Sequence, residues 1–220
     1  MGINERRERE KEALRTRIVE AARDIVSAEG LEALSMRALA ERIEYSPATL
    51  YLYFKDKDEL IQEVVREGFR RMGECMCAES SELGSGADAT QQHRASGRGY
   101  ARFALENTAY FRVMFELPTV AQMDCPTHDE EEAQTGQESW TPVVEVVQRA
   151  MDAGLYALPD AHRGAVISWG LVHGLVSLYL SGHLAEVVMS NEEFMKLLED
   201  AMDSLRVGWT PRETRQADLA

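Results

Sequence analysis

The chain has 220 residues, 45% of them hydrophobic, and a formal net charge of −14. That is enough apolar material to give real cores to one large or two small domains. A charged helical N-terminus (INERREREKEALRTR) argues against a secretory signal, and three cysteines, 75, 77 and 125, form no disulfide framework, so a reducing, cytoplasmic location is expected.

The negative charge is unevenly spread. Residues 1–60 carry 11 Lys+Arg against 13 Asp+Glu, a net of −2, which leaves −12 for residues 61–220. Seven of those eleven basic residues fall in positions 6–23, where they either meet phosphates or decorate a solvated helix face.

Three helix starts follow in close order. Ser35 can cap SMRALAERI, whose Met36, Leu39, Ala40 and Ile43 recur at helical spacing. After the short link Glu44–Ser46, Ser46 and Pro47 open YSPATLYLYF as a cap and a first-turn proline. At about 100° per residue, Leu50 and Phe54 share one edge and can enter a core. Ala48, Thr49 and Leu52 then point away, flanked by Tyr51 and Tyr53. Two short helices joined by a tight turn make a helix-turn-helix, whose second helix enters the major groove. In KDKDEL, Asp56 and Glu59 have capping-box spacing and open a further helix at Lys57.

These stretches, with IVEAARDIVSAEG at 18–30, resemble the TetR family of transcriptional regulators over roughly the first 70 residues. One departure is Tyr45, where a small aliphatic residue is commoner in that family. The resemblance implies that Thr49, Tyr53 and Lys57 bind phosphates, and that Ser35 and Arg37 approach phosphates and base edges. Ser46, Pro47, Ala48, Tyr51 and Leu52 would then face bases. The reading helix holds no Arg, Lys, Asn or Gln, so bidentate base pairing is closed to it and thymine methyls are its expected targets.

The rest of the chain also reads as helix, giving an all-α fold of about nine helices with a DNA-binding head at 1–60 and a larger bundle at 61–220. A long amphipathic helix over 57–83 ends at the polar hinge GSGAD; helices over 89–107 and 108–116 meet at Asn107. Residues 117–138, with two prolines and an acidic run, read as a mobile loop; a metal role for Asp129–Glu132 is the less favoured reading of its charge. Helices resume at 140–153, 160–184 and 190–207, the last opened by Ser190 and Glu193 in capping-box spacing.

The segment 164–182 has nineteen residues without Asp, Glu, Lys or Arg, long enough for a membrane span. His173 in its middle, the lack of a basic flank and the helix-turn-helix upstream favour a doubly buried helix instead. Gly170, Gly174, Ser177 and Ser181 line one stripe that lets another helix approach, opposite Ser168, Val172, Leu175 and Tyr179. Trp169, His173 and Gly174 resemble the Trp–His–Gly signature of one TetR-family C-terminal domain. In that family the last two long helices form a four-helix bundle between subunits. This places Phe194, Leu198, Met202 and Leu205, with the small-residue stripe, at a homodimer interface.

A ligand pocket is expected in 61–220 among aromatic and apolar groups. Candidates are Tyr100, Phe103, Phe111, Met114 and Phe115 in the middle helices, then Trp140, Val144 and Val147, then Trp169 and His173. Cys75 and Cys77 project to opposite sides of a helix and make a poor chelate. No phosphate loop, nucleophile elbow or HExxH motif points to catalysis, and no cofactor or metal is implied. The chain therefore reads as a ligand-responsive repressor that binds operator DNA as a homodimer and is released by a small apolar or amphiphilic effector. A small-molecule-binding helical protein without DNA activity is the alternative.

Overall fold

The computed structural model describes residues 3–115, 130–188 and 190–211, the side chains of Ile3 and of 130–139 excepted. Among these residues the chain is all helix. The order is α1 (Ile3–Glu29), a single 3-10 turn (Leu31–Ala33), α2 (Met36–Arg42), α3 (Pro47–Leu50), α4 (Lys57–Ser81) and α5 (Ala89–Glu106). It continues with α6 (Thr108–Phe115), α7 (Glu130–Asp152), α8 (Ala161–Leu180) and α9 (Asn191–Trp209). No described helix is long and apolar enough to cross a membrane, the 164–182 segment included.

The chain forms two compact units: one runs to Gly68 and takes in α6 from Ala109, and the other starts at Phe69 and holds α5 and α7–α9. In the first unit Ile18, Val19, Ala22, Ile25 and Val26 of α1 are buried with Leu39, Leu50, Phe54, Leu60 and Ile61. Caps set its helix starts. The Ser35 hydroxyl accepts from Ala38 N–H at 3.1 Å, that of Ser46 from Thr49 N–H at 3.2 Å, and the Asp56 carboxylate from Glu59 N–H at 2.9 Å.

Between α2 and α3 the chain turns at Glu44, whose φ of 62° is left-handed. Tyr45 N–H bonds Ala40 C=O and Glu44 N–H bonds Glu41 C=O, the paired bonds of a Schellman ending with a glutamate in the place glycine favours. α3 itself is only one turn, and Tyr51–Tyr53 continue it as tighter turns that keep Leu50 and Phe54 inward.

In the second unit α5 packs against α7, α8 and α9. Its run ASGRGY brings two neighbours close: a Cβ at Gly97 would sit 3.2 Å from Met202 Cε, and one at Gly99 only 2.4 Å from Met76 Cα. The expected loop over 117–138 needs correction at its C-terminal end. α7 begins at Glu130 and runs through Pro142, because a proline there removes one helical N–H without forbidding the turns on either side. The rest of that stretch, Asp129 and Cys125 included, lies outside the described residues, as do the side chains of the acidic run.

The dimer face also needs correction. Phe194, Leu198 and Met202 are 0%, 0% and 3% exposed within the chain itself, so they fill its own core and leave no surface for a partner. Phe194 stacks on Tyr179 at 4.4 Å, tying α9 to α8. Leu205 is half-buried. On α8, Ser168 and Val172 are buried, whereas nothing among the described residues lies within 4 Å of a Cβ placed at Gly170 or Gly174. The two glycines of the small-residue stripe are thus open, while Ser177 is half-buried and Ser181 exposed.

Candidate nucleic-acid interface and sensor cluster

The short α3 and its trailing turns make the reading face. Leu50 and Phe54 anchor it at 0% and 1% exposure, while Tyr51 and Leu52 stand out at 54% and 80%. Ser46, Pro47 and Ala48 are exposed, and Thr49 and Tyr53 half-buried. A large apolar side chain held outward by a buried anchor has no role within the chain and suits a surface brought to it.

The polar groups around this face are arranged unequally. Thr49 Oγ1 lies 2.9 Å from Ser46 Oγ, so one hydroxyl donates to the other at the helix start. Arg37 is exposed and has no ion pair among the described residues. Lys57 is different: its ammonium donates to Leu31 C=O at 2.7 Å, which leaves two of three N–H bonds for another acceptor. That link bridges 26 positions of sequence, and no local pattern announces it.

Several of the basic residues of α1, which could meet phosphates or decorate a solvated face, are occupied within the chain. Arg15 pairs with Glu63 at 2.6 Å and lies over the Phe54 ring at 5.2 Å. The hydrogen bond to Glu63 raises the Arg15 guanidinium above its ordinary value, so it stays charged there. Arg6 pairs with Glu10 and Arg23 with Asp24. Arg7 and Lys11 have no partner among the described residues.

The expected pocket residues fall into three groups. Tyr100, Trp140, Trp169 and His173 come together: Tyr100 Oη is 2.8 Å from His173 Nδ1, and the Trp169 ring lies 5.4 Å from His173 and 6.0 Å from Trp140. Ser177 Oγ adds a weaker contact at 3.5 Å to His173 Nε2. Burial holds the Tyr100 phenol well above its ordinary value, so it remains a hydrogen-bond donor. Trp169 keeps 40% of its surface exposed, which leaves this cluster reachable. Val147, with Val144 against it, belongs to a separate core around Ala150, Tyr156 and Ala161, and Phe103 is wholly buried. Phe111, Met114 and Phe115 lie in the first unit, with Phe111 and Phe115 rings 5.2 Å apart.

A buried polar group outside the expected set is His93. It is 2% exposed, 3.1 Å from the Tyr156 hydroxyl through Nδ1, and stacked at 5.9 Å on Trp209. Nothing near it in sequence marks it, since its partners lie on a loop and on the last helix. Burial pushes His93 down to about 4. Its ordinary value is near 6.5, so between about pH 6.5 and 4 the unfolded chain binds a proton that the folded chain refuses. Its contribution to stability is present above pH 6.5 and lost as pH falls towards 4, by up to about 3 kcal/mol. Urea midpoints at pH 7.5 and pH 5 should therefore differ more for wild type than for His93→Phe. Equal pH dependence in both would remove His93 as the cause. On α4 both thiols are free, Cys75 partly buried and Cys77 exposed, and burial raises the Cys75 thiol, which lowers its reactivity.

A capped helix-turn-helix with an outward apolar turn is the head of a DNA-binding regulator. A family model described as "Bacterial regulatory proteins, tetR family" matches residues 18–64, and one described as "Tetracyclin repressor-like, C-terminal domain" matches residues 93–204. The chain belongs to the TetR family of transcriptional regulators. It is 40% identical over 62 residues to the HTH-type transcriptional regulator UidR of Escherichia coli, covering 28% of this chain and 32% of UidR. It is 39% identical over 72 residues to the HTH-type transcriptional repressor KstR of Mycolicibacterium smegmatis, 33% of each chain. The match thus spans about a third of the length of these relatives.

A Rhodococcus protein of unknown function superposes with a TM-score of 0.75 at 23% identity, covering 90% of this chain and 96% of that one. PfmR of Thermus thermophilus, a TetR family transcriptional regulator, superposes at 0.67 with 16% identity, covering 86% and 96%. At such identities the likeness is one of fold.

Proposed function

We propose that the chain is a cytoplasmic, homodimeric repressor that binds operator DNA through residues 1–60 and is released by a small apolar or amphiphilic effector bound in 61–220. The observation that carries this reading is the outward reading turn, with Leu52 80% exposed on a buried Leu50–Phe54 anchor. In it, Ala48 and Leu52 meet thymine methyls, with Ser46, Pro47 and Tyr51 beside them, and Ser35, Arg37, Thr49, Tyr53 and Lys57 hold phosphates. The repressor sense is supported by the name of KstR.

The dimer is supported by the two open glycines on α8. Among the described residues nothing lies within 4 Å of a Cβ placed at Gly170 or Gly174, and Val166, Ile167 and Leu178 beside them are 53%, 50% and 44% exposed. A partner helix on that face would remove this apolar surface from water. The sensor is the Tyr100–His173 pair walled by Trp140 and Trp169: two tryptophans give apolar contact, and few polar groups converge. Effector binding would weaken operator binding by a coupling free energy of about 1–3 kcal/mol, roughly 5- to 150-fold, and DNA would weaken the effector by the same factor.

Selection from a random-sequence duplex library tests the reading. Wild-type protein should enrich a sequence and bind it with two chains per duplex. Arg37→Ala should weaken binding to every sequence by about tenfold, whereas Leu52→Ala should change which bases are preferred. A protein that enriches no sequence and shifts no duplex at low salt would leave a ligand-binding helical protein without DNA activity.

A further inference from the structure

Among the described residues the first three turns of α1 join no core: Asn4 through Ala13 are exposed, and full burial begins at Ile18. A helix that is polar all round needs another reason to continue that far. Between it and the helix-turn-helix lies an open groove of about 550 Å³, lined by Arg7, Glu10, Lys11, Arg17, Tyr45 and Tyr53. Arg7, Lys11, Leu14 and Arg17 follow helical spacing, so the three cations share one face of α1. The Arg17 guanidinium lies over the Tyr45 ring at 5.8 Å, and Tyr45 is itself 41% exposed. The one carboxylate of the lining, Glu10, is paired with Arg6 at 2.7 Å. Arg7 and Lys11 have no counter-charge among the described residues.

We propose that this groove takes the sugar–phosphate strand that flanks the operator half-site, as a second DNA contact beyond the reading turn. From Arg7 to Arg17 the helix rises about 15 Å. That matches the axial reach of about four phosphates of one strand, at about 3.4 Å each. Tyr53 borders both the groove and the reading turn, so a strand held at the turn continues directly between Arg17 and Tyr45. The stacked Arg17–Tyr45 pair fixes the guanidinium at the groove wall, and Tyr45 is the residue that departs from the usual small aliphatic. In a unit whose first 60 residues carry a net of −2, this row of cations supplies the local positive field that the composition withholds. The inference rests on the DNA-binding reading above.

The test uses the full chain, the duplex enriched by wild type, and the same duplex trimmed at its flanks. Arg7→Gln, Lys11→Gln and Arg17→Gln keep helix propensity and touch no core. Each should lower the slope of log affinity against log salt by about 0.9 per bound head, and the triple variant should bind long and trimmed duplexes alike. Wild type should lose affinity on trimming, and Arg7→Lys should keep the wild-type slope. A triple variant with the wild-type slope and the wild-type response to trimming would overturn the groove contact while DNA binding stands. If wild type itself binds no duplex, the underlying reading fails instead, and retention of an acidic protein by the groove would point to a protein partner in place of DNA.

Discussion

Gly99→Ala should be among the most damaging single-methyl changes in this protein. A Cβ there would lie 2.4 Å from Met76 Cα, 2.7 Å from Cys75 C=O oxygen and 2.8 Å from Met76 N. All three are backbone atoms of α4, so no side chain can rotate aside and the two helices must part. Carbon atoms in good contact sit about 3.5–4.0 Å apart, so the required shift is about 1 Å. Overpacking of this kind costs about 1–3 kcal/mol and occasionally more; here the immovable neighbour puts the loss at about 3 kcal/mol. Alanine's better helix propensity returns at most about 1 kcal/mol of it. Gly73→Ala on α4 provides the opposite sign, because nothing lies within 4 Å of its Cβ, and it should gain about 0.5–1 kcal/mol. Thermal melts followed by far-ultraviolet circular dichroism compare the two. A Gly99→Ala protein that melts at or above the wild-type temperature would mean that α4 and α5 are not in backbone contact.

Much of the head was legible because its determinants are local. Ser35, Ser46 and Asp56 cap helices whose starts follow from three or four neighbouring residues. The period of the helix alone separates buried Leu50 and Phe54 from exposed Leu52. What the sequence left open is set by contacts distant along the chain. Lys57 reads as a phosphate cation, yet its ammonium is already tied to the Leu31 carbonyl. Phe111 and Met114 carry the same aromatic and methionine pattern as the sensor candidates but lie in the first unit. His93 is invisible until Tyr156 and Trp209 close over it.

The last helix makes the distinction plainest. Its apolar stripe of Phe194, Leu198 and Met202 correctly implies burial, but periodicity does not say which chain buries it. On α9 it is the chain's own α5 and α8, as the approach of Met202 to Gly97 and the stacking of Phe194 on Tyr179 make clear. On α8 two of the small residues, Gly170 and Gly174, have nothing among the described residues within 4 Å of a Cβ placed on them. A face of small residues buries little within one chain, and close approach by a second helix is what it permits.

Glu79→Ala should be the costliest loss of a charge. The residue is 3% exposed on α4, and its Oε2 accepts from Arg98 Nε at 3.0 Å, while Arg102 Nη2 closes on Oε1 at 2.5 Å as an ion pair. Arg98 and Arg102 are one turn apart on α5, so a single carboxylate separates two guanidinium groups. Further along the same face Arg94 reaches Asp203 of α9 at 3.7 Å, and Arg98 reaches Glu199 at 3.9 Å. This arginine row on α5 thereby ties α4 on one side and α9 on the other. Removing one partner of a buried pair typically costs about 3–5 kcal/mol, because the other charge stays desolvated. Here Arg98 and Arg102 keep 22% and 40% of their side-chain surface, so water takes up part of the loss and about 2–3 kcal/mol is expected. Glu79→Gln keeps an acceptor for Arg98 and should cost less. In double-mutant cycles with Arg98→Met and Arg102→Met, the coupling to the better-buried, aligned Arg98 should be the larger. It should also change little between about 0.05 and 0.5 M salt, roughly the range over which an exposed pair is screened away. A Glu79→Ala protein as stable as wild type, or a coupling that vanishes at the higher salt, would make the carboxylate an ordinary surface charge and break the link between α4 and α5.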